Sequence, residues 1–80
     1  MLLPALNSQF AVPVSAHVRI AVYDVVGREV QVLADGPFSP GTHSVSWDGT
    51  SGGRAARSGM YFVRMTAPSF DRVRRVAIVH

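Results

Sequence analysis

Ser44-Val45-Ser46-Trp47-Asp48-Gly49 and Ser58-Gly59-Met60-Tyr61-Phe62-Val63 decide how this chain folds. The first run is a strand that ends on the only tryptophan and then turns. The second is a turn that opens another strand on an aromatic pair. Between them, residues 50–57 are polar or small. Two extended runs around a polar loop describe a small β-domain with its core anchored on Trp47. Neither run is laid out for catalysis.

Working outward, His17 to Tyr23 alternates most clearly. Val18, Ile20 and Val22 point one way; His17, Arg19, Ala21 and Tyr23 point the other. Period-two alternation with β-branched residues on the inner side is the pattern of a half-buried strand. Asp24-Val25-Val26-Gly27 then fits a type I turn closed by a left-handed glycine. Arg28 to Leu33 returns as the second arm of a hairpin, with Val30 and Val32 on one face and Arg28 placed to reach Asp24. Residues 34–41 hold two Pro-Gly clusters around Phe38, which exclude a helix. They read as a connection between sheets or a short edge strand.

Thr42 to Trp47 alternates His43, Val45 and Trp47 against Thr42, Ser44 and Ser46. Met60 to Ala67 sets Tyr61, Val63 and Met65 against Met60, Phe62 and Arg64. With both faces largely apolar, this strand is expected at the centre and covered on both sides near its start. Arg72 to Val79 closes the chain, with Val76 and Ile78 on the face of Arg74. Ser8 to Val12 is a short strand that Pro13 ends, suited to a sheet edge. Residues 1–7 read as a leader and 8–80 as the domain. Six or seven strands at about ten-residue spacing, with no helical period, point to an all-β antiparallel Ig-like sandwich.

Eighty residues allow one domain. A chain of that size buries roughly 60% of its unfolded surface, so good packing matters. There is no cysteine, hence neither a disulfide nor a thiolate metal site. The net charge is +3 and every basic residue is Arg, a balance that bears on solubility before fold. No apolar run approaches the ~20 residues of a membrane helix. The N-terminus lacks the basic start and apolar core of an export signal.

The residues that could carry chemistry are scattered. The carboxylates Asp24, Glu29, Asp35, Asp48 and Asp71 never fall within three residues of one another, whereas calcium needs several oxygens together. Asp48 is expected to accept backbone N–H groups of its own turn. His17, His43 and His80 lie on unrelated segments, and there is no Gly-x-Ser-x-Gly elbow. Gly49 to Arg54 is Gly-rich, but a strand follows where a phosphate loop needs a helix. Arg72, Arg74 and Arg75 beside Phe70 lack the additional aromatics of a nucleic-acid surface. The residues therefore point to no catalytic site, cofactor, metal, small-molecule substrate or nucleic-acid partner.

Three spaced motifs carry a resemblance. Val18 to Val30, reading VRIAVYDVVGREV, resembles the V-x-L-x-V-Y-D-x-x-G-R-x-V run of bacterial C-terminal Ig-like sorting domains. Gly41 to Gly49 is similar to their A-G-x-H-x-V-x-W-D-G run, and Ser58 to Met65 to their S-G-x-Y-F-x-R-L run. The end, Arg74 to His80, is similar to their basic pair and apolar strand. The Asn-Pro pair that opens the family is replaced here by Leu6-Asn7-Ser8. The pattern is shared by type IX secretion sorting domains and by the Ig-like domain of the flagellar hook-capping protein.

The resemblance implies a structural signature of Tyr23, Asp24, Gly27, Arg28, Trp47, Asp48, Gly49, Gly59 and Tyr61. In the sorting reading, Arg74, Arg75, Val76 and Ile78 are recognised by secretion machinery at the outer membrane. That machinery carries a covalently attached cargo domain of a longer parent chain through the periplasm to the cell surface. In the alternative reading, the domain serves assembly or adhesion, like that of the hook-capping protein. An exposed edge such as Ser8 to Val12 also permits strand-addition dimers.

Overall fold

The computed structural model describes residues 6–79. All regular structure among them is extended. In chain order the strands are β1 (Leu6–Val12), β2 (Ala16–Tyr23), β3 (Glu29–Phe38), β4 (Gly41–Trp47), β5 (Thr50–Ser51), β6 (Arg54–Ala55), β7 (Gly59–Ala67) and β8 (Phe70–Ile78). One layer is a four-stranded antiparallel sheet in the order β3-β2-β7-β8; the other is the pair β1-β4. β5 and β6 form a two-residue hairpin over Gly52 and Gly53, whose φ values of 60° and 82° are those of a tight two-residue turn.

The alternating residues of β2 set the core. Val18, Ile20 and Val22 are fully buried, and Val12, Trp47, Ala56, Tyr61, Val63, Val76 and Ile78 close around them. These residues come from both sheets, so the core is the apolar filling of a sandwich. The fold is thus the expected small antiparallel Ig-like sandwich. Its first strand begins at Leu6, two residues ahead of Ser8, and residues 1–5 of the expected leader lie outside the described residues.

Three sequence expectations need correction. First, β3 does not stop at Leu33 but continues to Phe38 through Gly36 and Pro37. It is an edge strand, so the missing N–H of Pro37 breaks no ladder on its outer side. Second, Val30 and Val32 do not share a face. The pairing of β2 with β3 slips between Ile20 and Ala21 and again between Val22 and Tyr23. Each slip leaves an unopposed residue on β3, Leu33 and Val30, and both pack on the core while Val32 remains 40% exposed. Third, β7 is central, but its outer face is only partly covered: Met60 and Arg64 are exposed and Phe62 is half-buried.

Ala21 departs from its pattern in another way: it lies on the outer face and is still buried. Its cross-strand neighbours are Val32 on one side and Arg64 on the other, and long side chains beside a methyl group shield it.

Candidate functional site

The signature residues fall into two constructions. In the turn between β2 and β3, the Gly27 N–H donates to the Asp24 carbonyl at 3.0 Å, and the Asp24 N–H donates to the Arg28 carbonyl at 2.9 Å. Asp24 Oδ1 accepts from the N–H groups of Val26 and Arg28 at 3.0 and 2.9 Å, and Arg28 Nε reaches Oδ2 at 3.1 Å. The backbone bond to Arg28 is foremost in holding the Asp24 carboxyl below its ordinary pKa, helped by Val26 N–H and the Arg28 charge. Gly27 sits at φ 87°, a conformation that costs any residue with a Cβ. Above the turn, Arg19 joins Tyr23 Oη at 3.2 Å and both oxygens of Glu29 at 2.8 and 2.7 Å.

The second construction surrounds Trp47. The ring is 1% exposed, and its Nε1–H donates to the Thr50 carbonyl at 2.8 Å. It meets Tyr61 edge-on, with centroids 5.3 Å apart and planes at 65°. Tyr61 Oη donates to the Arg57 carbonyl at 2.7 Å, so an inner-strand tyrosine pins the loop that precedes it. Asp48 Oδ1 accepts from Thr50 N–H at 3.1 Å and Thr50 Oγ1 at 2.6 Å, with the hydroxyl leading in lowering its pKa. Gly49, buried at φ 80°, offers its carbonyl to Ala56 N–H at 2.7 Å. Gly59 opens β7 opposite Ile78. Asp24, Arg28, Trp47, Asp48 and Tyr61 thus each bond to a turn or loop, and Tyr23 accepts from Arg19.

The remaining sequence candidates are separate. His17 pairs with Asp35 on the outer face. His43 Nε2 bonds the Ser39 carbonyl at 2.7 Å, with its ring packed between Phe10 and Phe38. His80 lies outside the described residues. Among the described residues, no three His, Cys, Asp or Glu side chains come together as a metal would require. The Gly49-to-Arg54 segment leads into the β5-β6 hairpin.

The four residues expected to be read by secretion machinery are divided between core and surface. Val76 and Ile78 are buried in the sandwich; Arg74 and Arg75 are exposed and point to opposite faces of β8. A partner docking on the folded domain meets the two guanidinium groups and neither apolar side chain.

One concavity was missed from the sequence. A groove of about 370 Å³ runs between β1 and β8, floored by Val45, Val63, Met65 and Phe70 and rimmed by Arg72 and Arg74. Arg74 Nη1 bridges it to Ser8 Oγ at 3.0 Å, and the Arg72 guanidinium lies 5.9 Å from the Phe70 ring centroid. The available signal was phase: Phe70, Arg72 and Arg74 alternate in step with buried Val76 and Ile78. Two cations on the inward side of a strand require an opening beside them.

The fold is that of a small Ig-like all-β domain, and its signature residues lie in the β2–β3 turn and around Trp47. The family model for the FlgD Ig-like domain matches residues 5–71. The chain therefore belongs to the FlgD Ig-like domain family. No curated protein and no solved structure matches it. The match corresponds to the hook-capping side of the resemblance and not to the type IX sorting side.

Proposed function

We propose that this chain is a non-catalytic structural Ig-like module, of the hook-capping type, that serves assembly of an exported multi-protein structure. The observation that supports it is the family match over residues 5–71, which includes both signature constructions and ends before Arg74. The module acts outside the cytoplasm, joined to the rest of a parent chain, and contributes a rigid folded surface to contacts with neighbouring subunits. Its Asp24 turn and its Trp47–Tyr61 corner maintain that rigidity and take part in no reaction.

The discriminating experiment fuses residues 1–80 to a reporter bearing its own export signal in a type IX-competent bacterium. The assembly reading expects the reporter to remain in the periplasm, with or without Arg74→Gln and Arg75→Gln. Surface delivery that depends on those two arginines overturns it in favour of sorting. Thermal melts supply the second arm. Deleting residues 74–80 takes Val76 and Ile78 out of the core, so the truncated chain is expected to lose its cooperative transition.

A further inference from the structure

The two layers are unequal: a two-stranded sheet covers a four-stranded one. β4 follows directly from β3, and β1 lies beyond β4 on the side toward β8. The inner face of β7 and β8 toward Met65 and Phe70, both only half-buried, is therefore incompletely covered, and the groove lies there. Both of its sides are sheet edges among the described residues, where β1 pairs with β4 alone and β8 with β7 alone. An edge exposes unpaired N–H and C=O groups along its length.

Charge defines the occupant. Asp24, Glu29, Asp35 and Asp71 are each engaged with Arg28, Arg19, His17 or Arg64, and Asp48 with Thr50. Arg72 and Arg74 have no carboxylate partner among the described residues, and no acidic side chain lines the groove. An incoming strand would present apolar side chains to the floor at every second position. A carboxylate on it could take both donors of an arginine fork.

We propose that the groove between β1 and β8 receives an extended acidic-apolar segment of another polypeptide, added as a third strand along the free edge of β1. Its backbone pairs with Leu6–Val12, its inward side chains cover Met65 and Phe70, and its carboxylates meet Arg72 and Arg74. Strand addition of this kind takes affinity from main-chain hydrogen bonds and selectivity from alternate side chains. The proposal rests on the assembly reading in supposing a partner subunit.

The test uses the full chain and a fluorescent peptide of alternating Val and Asp, about eight residues long to match a strand. Anisotropy is expected to show saturable binding, at least about tenfold weaker for the Val–Lys counterpart, as expected for opposite charge at a contact. The double variant Arg72→Glu, Arg74→Glu is expected to lose about tenfold or more in affinity. Should it fail to fold, Arg72→Gln with Arg74→Gln is expected to give the smaller loss. Hydrogen exchange should slow at amides of β1 in the complex. No binding at millimolar peptide, equal binding of the two peptides, indifference to the arginines or protection confined to β3 overturns the proposal. So does full displacement of the peptide by an oligonucleotide, which marks a general polyanion surface. Failure here leaves the reporter and truncation experiments to decide the assembly reading on their own.

Discussion

Replacing Trp47 with Phe keeps an aromatic ring in the core and deletes one N–H. The bond lost is the 2.8 Å contact from Nε1 to the Thr50 carbonyl, in a ring that is 1% exposed. A hydrogen bond contributes about 1 kcal/mol, and leaving its partner unsatisfied adds about 1–3 kcal/mol where that partner is buried. Thr50 is only half-buried, so water can satisfy part of its carbonyl, and a net loss of about 2 kcal/mol is expected. In a domain of this size that lowers Tm by about 8–16 °C. Trp47→Ala adds a cavity and the loss of the Tyr61 edge contact, together about 3–5 kcal/mol. At the usual ~0.05–0.15 kcal/mol per residue, the whole domain holds about 4–12 kcal/mol. The alanine variant is therefore expected to lose about a quarter of that stability or more, with Tm lowered by about 12–40 °C. Far-UV circular dichroism melts measure both changes. Because Trp47 is the only tryptophan, acrylamide quenching of the unmodified chain reports ring burial directly. A Tm shift below about 2 °C for Trp47→Phe, where about 8–16 °C is expected, or quenching like that of free indole would refute the reasoning.

Two further predictions concern the turn between β2 and β3. Asp24 has a folded-state pKa below its unfolded value, chiefly because of the Arg28 backbone N–H; its stabilisation is present above the unfolded pKa of about 3.9 and disappears as pH falls through the folded value. Asp24→Asn should therefore flatten the acid limb of a urea-midpoint profile and leave a remainder from Asp48 and Asp71, whose pKa values are also lowered; an unchanged limb would remove Asp24 from the account. Gly27→Ala meets no atom within 4 Å of the added Cβ, so its expected cost of about 1–2 kcal/mol is purely that of a left-handed φ. Gly27→Asn should recover much of the lost Tm, and equal melting of the two variants would contradict a conformational origin.

Much of the fold was legible because its central strands obey period two. Val18, Ile20 and Val22 on β2, and Tyr61 and Val63 on β7, announce their face in the sequence. The Asp24 turn was readable for a local reason, since all of its bonds lie within five residues. β3 was harder. Gly36 and Pro37 have the composition of a turn, and only their position on a sheet edge allows a strand to pass through them. The unopposed Val30 and Leu33 break period two without any mark in the residue types. The groove was least legible, because it depends on how many strands stand in each layer. That number follows from Leu6–Val12 pairing with Gly41–Trp47, a choice no local pattern expresses. The inward phase of Arg72 and Arg74 was a visible clue that only the layer count explains.

The pairing of β1 with β4 also bears on how the chain reaches this state. β2 with β3, and β7 with β8, are neighbours along the chain joined by short turns, and such closures take microseconds. Val12 must instead wait for Gly41, and Leu6 for Trp47; long loops close late and slow the search. On a ribosome, β1 emerges ahead of β4 and is therefore without its mate until Trp47 has been synthesised and released from the exit tunnel. Nascent β1 is the segment that most needs shielding during that interval.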